Sequence, residues 1–252
     1  MKNIIFEKLQ EIEETRQVKV LFACEAGSRA WGFHSVQSDY DVRFVYLQHR
    51  DHYVTLGNPN DSLNFGVNQQ LDLNGWDVRK FLQLMAKSNA TVMEWLRSPV
   101  GYVSEPAFVD EARQLMVRYF NPLATYYHYA GLARNHMEEV SQLIPTVKVY
   151  LHAARALIAA QWVVRNQSPP PTLFNDLLRF VGSDSTREVL DQLMLMKRSD
   201  NNLLTEKVAE LEQWMEQTFT DNEHEKATLK HEKVGLEELD VFYRKVLGWS
   251  EL

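Results

Sequence analysis

The sequence is short of cysteine, of net positive charge and of long uncharged apolar runs, and each shortage removes a class of protein. A single cysteine, Cys24, leaves no internal disulfide to form and fits a reducing compartment, the cytoplasm. Cys24 follows the apolar run Val20-Leu21-Phe22-Ala23, the setting of a packed core thiol rather than a nucleophile. The net charge of −7 provides no global basic footprint. Non-specific nucleic-acid binding is therefore not the expected main activity, although a local basic groove stays open. No uncharged run reaches the ~20 residues of a membrane span, so no membrane partner is expected. Met1-Lys2-Asn3 leads into an amphipathic helix rather than a signal peptide. His34, His49 and His52 are scattered through loops without the i, i+4 spacing of a zinc helix, and no zinc site is assigned. There is no internal repeat or low-complexity tract.

What is present is an ordinary globular core, 45% apolar over 252 residues, enough for one large or two modest domains. Ile4, Ile5, Leu9 and Ile12 recur at helical spacing. Residues 18–24 read as a buried strand, 29–33 as a short helix and 42–47 as a second strand. Residues 50–60 read as a loop. Alternation in 62–73, interrupted by Asn68-Gln69-Gln70, reads as two strands or one bent strand. Helices are expected over 76–87, with Asp77 in the first turn as a helix-start residue, and over 89–96. Beyond Pro106 the alternation stops. Helices are expected over 107–120, 122–143, 147–166, 174–181, 186–196, 203–219 and 237–247, with 220–233 a charged, mobile connector. The composition shift near residue 105 divides the expected chain into a mixed front domain, 1–105, and an all-helical back domain, 106–252.

The chain is organised around Glu25-Ala26-Gly27-Ser28-Arg29-Ala30-Trp31-Gly32-Phe33 and the nearby Ser38-Asp39-Tyr40-Asp41. Asp39 and Asp41, two apart in extended backbone, point to one face and offer oxygen ligands to a hard cation such as Mg²⁺. The Gly27-Ser28 turn offers N–H groups and a hydroxyl to a phosphate. Asp72 stands between Leu71 and Leu73 on the opposite face from both, placed to be a third metal ligand or a general base. A lone Asp-x-Asp reads as a solvated turn; a Gly-Ser turn just upstream, between two strands, tips the reading to phosphoryl chemistry. In the helical half, Lys148, His152 and Arg155 stand at i, i+4 and i+7 on one helix face. Lys148 and Arg155 are candidates to clamp a triphosphate, the alternative being a solvated face. Tyr126-Tyr127-His128-Tyr129, Arg134, Asn135 and His136 hint at base stacking, but an aromatic run in a helix is more often core.

Gly27-Ser28, Asp39-Tyr40-Asp41 and Asp72 on a later strand resemble the signature of the DNA polymerase β-like nucleotidyltransferase superfamily. The longer wording, Gly-Ser-Arg-Ala-Trp-Gly-Phe, Ser-Asp-Tyr-Asp-Val-Arg and Leu-Asp-Leu-Asn-Gly-Trp-Asp, resembles a bacterial and phage branch of predicted nucleotidyltransferases, some associated with RNA-ligase repair systems. The resemblance runs from about residue 22 to at least 171. Ala26 stands where many relatives are expected to carry serine, at the cost of one phosphate hydrogen bond. The resemblance implies an α+β fold, a small mixed β-sheet flanked by helices, followed by a helical domain closing the cleft. It implies that Gly27 and Ser28 bind the triphosphate and that Asp39, Asp41 and Asp72 hold two Mg²⁺ ions, or Mn²⁺. Arg29 and Arg43 are cations beside this cluster, and Arg29 is a candidate phosphate contact, with pairing to Glu25 or Asp39 as the alternative. Asp72 would also accept the proton of the attacking hydroxyl. The expected enzyme moves a nucleoside monophosphate from a nucleoside triphosphate such as ATP to an acceptor hydroxyl and releases pyrophosphate. The acceptor is left open among an RNA end, a protein and a small molecule, as is the oligomeric state. The rival readings are a protein-AMPylating enzyme and a non-catalytic nucleotide-binding sensor.

Overall fold

The period-two segments of the front half assemble into one five-stranded sheet in a computed structural model that describes residues 1–57, 59–68, 70–142, 144–230 and 232–248. Its strands are β1 (Lys19–Glu25), β2 (Tyr40–Leu47), β3 (Ser62–Asn68), β4 (Leu71–Asp77) and β5 (Gly101–Ser104). They lie in the order β3-β4-β2-β1-β5, with β2 and β4 parallel and the other neighbours antiparallel. The sheet is therefore mixed. In the parallel pair, Tyr40 lies opposite Leu71, Asp41 opposite Asp72 and Arg43 opposite Asn74. Alternation then sorts the faces. Val42, Phe44, Tyr46, Leu71 and Leu73 share one core with Ile5, Leu9 and Ile12 of α1 (Lys2–Arg16). Asp41, Arg43, Asp72 and Asn74 fall on the other face.

Two differences from the sequence expectation concern the sheet. β5 was not expected, because Gly101-Tyr102-Val103-Ser104 is too short to display a period and follows the Ser98-Pro99 break. β4 runs on through Trp76 to Asp77, where a helix had been expected from residue 76. Asp77 then caps α3 (Val78–Ala86), its carboxylate accepting from the Arg79 N–H at 2.8 Å. Residues 62–73 form two strands; Gln69 of the expected interruption lies outside the described residues.

The helices are α2 (Gly27–Trp31), α4 (Ala90–Leu96), α5 (Pro106–Arg118), α6 (Pro122–Gln142), α7 (Val147–Asn166), α8 (Phe174–Leu178), α9 (Asp184–Arg198), α10 (Ala209–Glu225) and α11 (Glu237–Val246). α2 begins two residues earlier than expected, and Arg50–Val54 of the expected loop is a 3₁₀ turn. Leu143, the expected end of the sixth helix, lies outside the described residues. α10 starts later than expected, where the Val208 N–H donates to the Tyr150 hydroxyl at 3.0 Å. It then carries on through 220–225, part of the expected connector. The polar character of that stretch is deceptive, because Asn222 is buried and donates to the Leu157 carbonyl at 3.3 Å.

Packing divides the chain into two units. The sheet unit comprises Met1–Ala30, Asp39–Tyr119 and Lys233–Leu252, so α5 and α11 belong with the sheet and the division falls after Tyr119 rather than near residue 105. Phe108 of α5 stacks on Phe242 of α11 and meets Phe81 of α3, which ties these helices into one apolar layer. The helical unit comprises Trp31–Ser38 and Phe120–Glu232. At its centre is α7, with Ala153, Ala154, Leu157, Ile158, Ala159 and Ala160 all buried. The segment after α2 is pinned in this unit by Phe33, fully buried against Phe174, and by the Gly32 carbonyl, which accepts from Arg198 Nη2 at 2.7 Å.

Asp77 also accepts from the Tyr53 hydroxyl at 2.7 Å. Asp77→Ala should therefore lose a cap and strand a buried phenol, lowering unfolding stability by about 1–3 kcal/mol in urea titration.

Candidate active site

The site face of the sheet gathers chemistry because the ladder is parallel there. Asp41 and Asp72 are directly paired across β2 and β4. Arg43, two residues beyond Asp41 on the same strand, bridges them. Its Nη2 lies 3.0 Å from Asp41 Oδ1 and its Nη1 lies 2.8 Å from Asp72 Oδ2. One guanidinium thus balances two carboxylates held at a single point, a charge-assisted arrangement. Asp41 is the less exposed partner; the Asp72 side chain is 53% exposed.

Asp41 is fixed by its backbone as well. Its N–H donates to Glu25 Oε1 at 2.7 Å, and its carbonyl accepts from the Ala26 N–H at 2.8 Å. Glu25 is 1% exposed, and its second oxygen accepts from the Tyr102 hydroxyl. Burial pushes the Glu25 carboxyl above its ordinary range, although hydrogen bonds from Tyr102 and the Asp41 N–H pull the other way. The turn is equally constrained. Gly27 has φ +58°, and a Cβ there would stand 2.3 Å from Asp41 Oδ2, so only glycine lets the backbone lie against that carboxylate.

Around this pair, Ser28 is partly exposed, and its hydroxyl makes no hydrogen bond among the described residues. Arg29 donates from Nε to the Asp39 carbonyl at 3.0 Å and lies over the Tyr40 ring at 3.6 Å, a cation–π contact that holds it beside the strand. Asp39 itself is exposed. The structure thus brings Asp41, Asp72 and the Gly27 backbone together. Asp39 does not complete a three-carboxylate cluster with them: among the described residues no group of three or more His, Cys, Asp and Glu side chains is arranged to hold a metal ion. The donors present are hard carboxylate oxygens, whose chemistry suits a hard dication, and such an ion would take over the charge balance that Arg43 now supplies.

A family model described as RlaP, RNA repair pathway DNA polymerase beta family, matches residues 1–245. The chain belongs to this family. The family is one of polymerase beta-like nucleotidyltransferases, so the chain is a transferase in the coarse sense. The Bacillus subtilis (strain 168) protein YcgL, described as uncharacterized, is 34% identical to it over 205 residues, 81% of this chain and 79% of that one. A crystal structure of a nucleotidyltransferase-like protein from Exiguobacterium sibiricum 255-15 aligns over 98% of this chain and 81% of its own at 13% identity, with a TM-score of 0.33, too loose for a comparison of sites. No helix among the described residues is long and apolar enough to cross a membrane.

The helical unit holds the remaining residues singled out from the sequence. Lys148 is exposed and makes no hydrogen bond or ion pair among the described residues. Arg155, by contrast, is 4% exposed, its guanidinium 4.1 Å from the Trp31 ring centroid. The aromatic run on α6 is mixed, with Tyr126 and Tyr129 buried and Tyr127 exposed. Cys24 is buried, and burial raises its thiol far above the range of a nucleophile. Sequence reasoning missed Glu25 as the group that positions Asp41. Its signal was a carboxylate ending an apolar strand, immediately ahead of Ala26-Gly27-Ser28.

Gly27→Ala should displace the Asp41 carboxylate and cost roughly 1–2 kcal/mol for the left-handed backbone alone. Urea unfolding measures the second effect, and loss of transfer activity in protein that remains folded reads the first. Glu25→Gln removes a carboxyl whose folded pKa lies above its unfolded one, so the native state favours the protonated form. The stability of the wild type relative to Glu25→Gln should therefore rise as pH falls from 7 toward the ordinary carboxylate range, and decline again as pH climbs through the raised value. Paired melting curves across that range check the sign.

Proposed function

We propose that the protein transfers a nucleoside monophosphate from a nucleoside triphosphate, ATP among them, to an acceptor hydroxyl on an RNA end. The observation that carries the reading is the in-register pair Asp41 and Asp72 beside the Gly27 backbone, in a chain of the RNA repair pathway polymerase beta family. In the reaction the acceptor oxygen bonds to the α-phosphorus while the bond from that phosphorus to the β-phosphate oxygen breaks. Pyrophosphate leaves, and the hydroxyl proton passes to Asp72, the more exposed carboxylate of the pair. The Gly27 and Ser28 N–H groups and the Ser28 hydroxyl cradle phosphate oxygens, and Arg29 adds positive charge beside them. In the helical unit Lys148 and Arg155 add further phosphate-directed charge, Lys148 from an exposed position. Asp41 and Asp72, joined by Asp39 once its exposed side chain turns towards them, would hold Mg²⁺ or Mn²⁺, two ions in the fullest arrangement, which would neutralise charge on the attacking and leaving oxygens. The single buried Cys24 supports a cytoplasmic setting.

A second reading, a nucleotide-binding sensor without turnover, draws on Arg43. A guanidinium already bridging both acids is the state expected of a site that binds phosphates but leaves its carboxylates engaged. The protein-AMPylating alternative shares the chemistry proposed here and differs only in the acceptor.

Purified protein supplied with labelled triphosphate, Mg²⁺ and an oligoribonucleotide should release pyrophosphate and label the RNA. Asp41→Asn should slow release at least about 100-fold, equivalent to about 2.7 kcal/mol of barrier. Label on protein instead of RNA would move the acceptor to the AMPylation reading, and nucleotide binding with no pyrophosphate release would establish the sensor.

A further inference from the structure

Two asparagines face each other in the sheet unit, where strand propensity argues against both. Asn64 of β3 is in register with Asn74 of β4, and asparagine is depleted in strands because it packs poorly on a pleated surface. The Asn74 amide donates to Asn64 Oδ1, and neither side chain makes another hydrogen bond among the described residues. Whichever amide donates, such a pair keeps one carbonyl oxygen and one amino group unspent on adjacent side chains. Asn64 is exposed and Asn74 half-buried, so a ligand can reach them. Their place on the sheet connects them with chemistry. Leu63 and Phe65 pack on the α1 side, which leaves Asn64 and Asn74 on the face of Asp41 and Asp72. Asn74 lies two residues beyond Asp72, roughly 7 Å along the strand, and its neighbour on β2 is Arg43. Gly66 lies opposite Asp72, and a Cβ there would meet nothing within 4 Å, so no side chain fills the floor beside that acid. Trp76, two residues further on, stacks on buried Trp95 at 4.0 Å and ends the polar row.

We infer that Asn64 and Asn74 bind the terminal base of the acceptor RNA. A nucleobase carries donors and acceptors next to one another on its Watson–Crick edge, and one amide oxygen with one amino group complements them. Strand order selects the acceptor over the incoming nucleotide. The Gly27 turn, where the triphosphate is proposed to lie, follows β1 and meets Asp41, whereas β4 and β3 extend to the opposite side. Asp72 is the carboxylate proposed to take the proton of the attacking hydroxyl, so the nucleotide bearing that hydroxyl enters over these two strands. A base already paired in a duplex has its edge occupied, and the subsite therefore takes an unpaired end. This deepens the proposed function and rests on its reading of an RNA end as acceptor.

The test uses the full chain and two short RNA hairpins, one with unpaired terminal nucleotides and one with the same stem closed by a terminal pair. Fluorescence anisotropy of loop-labelled hairpins gives binding without triphosphate, and initial rates give separate KM values for hairpin and triphosphate. Wild type should bind the unpaired end about tenfold more tightly than the closed one. Asn64→Ala and Asn74→Ser should each remove most of that preference, raise the hairpin KM about tenfold and leave the triphosphate KM within about twofold. Asn64→Ala, at an exposed position on an edge strand, carries the test if Asn74→Ser fails to fold. A raised triphosphate KM with unchanged hairpin binding would give the pair to the incoming base. Wild-type values for both substrates, or equal binding of the two hairpins by wild type, would leave the pair a solvated ledge. Each of these results overturns the inference while RNA labelling continues. Wild type that labels neither hairpin refutes the acceptor reading itself, and this inference with it, before any variant is made.

Discussion

Parallel pairing between β2 and β4 is the constraint on which the acid pair depends. In a parallel ladder, residues of matching parity lie side by side, so Asp41 meets Asp72 only while Tyr40 stays opposite Leu71 and Val42 opposite Leu73. A slip of one residue would turn Asp72 into the α1 core and bring two buried leucines out into water. Leu71 and Leu73 are almost fully buried, and each such side chain contributes roughly 1.5–3 kcal/mol by leaving water. The apolar face therefore holds the polar face in register. The two leucines flanking Asp72 have a direct part in keeping that carboxylate where chemistry can use it.

Charge balance on the polar face is layered. Arg43 neutralises Asp41 and Asp72 from the front, while Glu25 reaches the Asp41 main chain from behind through a buried carboxylate shared with Tyr102. Asp41 is consequently anchored through its side chain, its N–H and its carbonyl. Such over-determination costs desolvation at Glu25 and leaves no room for a side chain at Gly27. It provides a carboxylate whose direction does not depend on a rotamer alone.

Much of this was legible before any coordinates. Leu71 and Leu73 on one face with Asp72 on the other follow from strand alternation, and the Gly27-Ser28 turn follows from its place between two strands. The helical back half followed from the loss of alternation after Pro106. What the sequence hid has identifiable causes. β5 is too short to show a period. Arg43 was visible as a neighbouring cation, but a bridge between strands requires register, which is a non-local property. Trp31-Gly32-Phe33 reads as the continuation of the phosphate turn, yet Phe33, Trp31 and Gly32 serve the helical unit, against Phe174, His152 and Arg198.

That last division has a practical consequence. The polypeptide passes from one unit to the other after Ala30, returns at Asp39, leaves again after Tyr119 and comes back at Lys233. Neither unit is an uninterrupted stretch of sequence. A truncation near residue 105 would strip α5 and α11 from Phe81 and leave Trp31–Ser38 without the helices it packs among. Dissecting this molecule into working halves calls for splicing three segments for the sheet unit and two for the helical unit around new joints, since trimming one end yields two unfinished pieces.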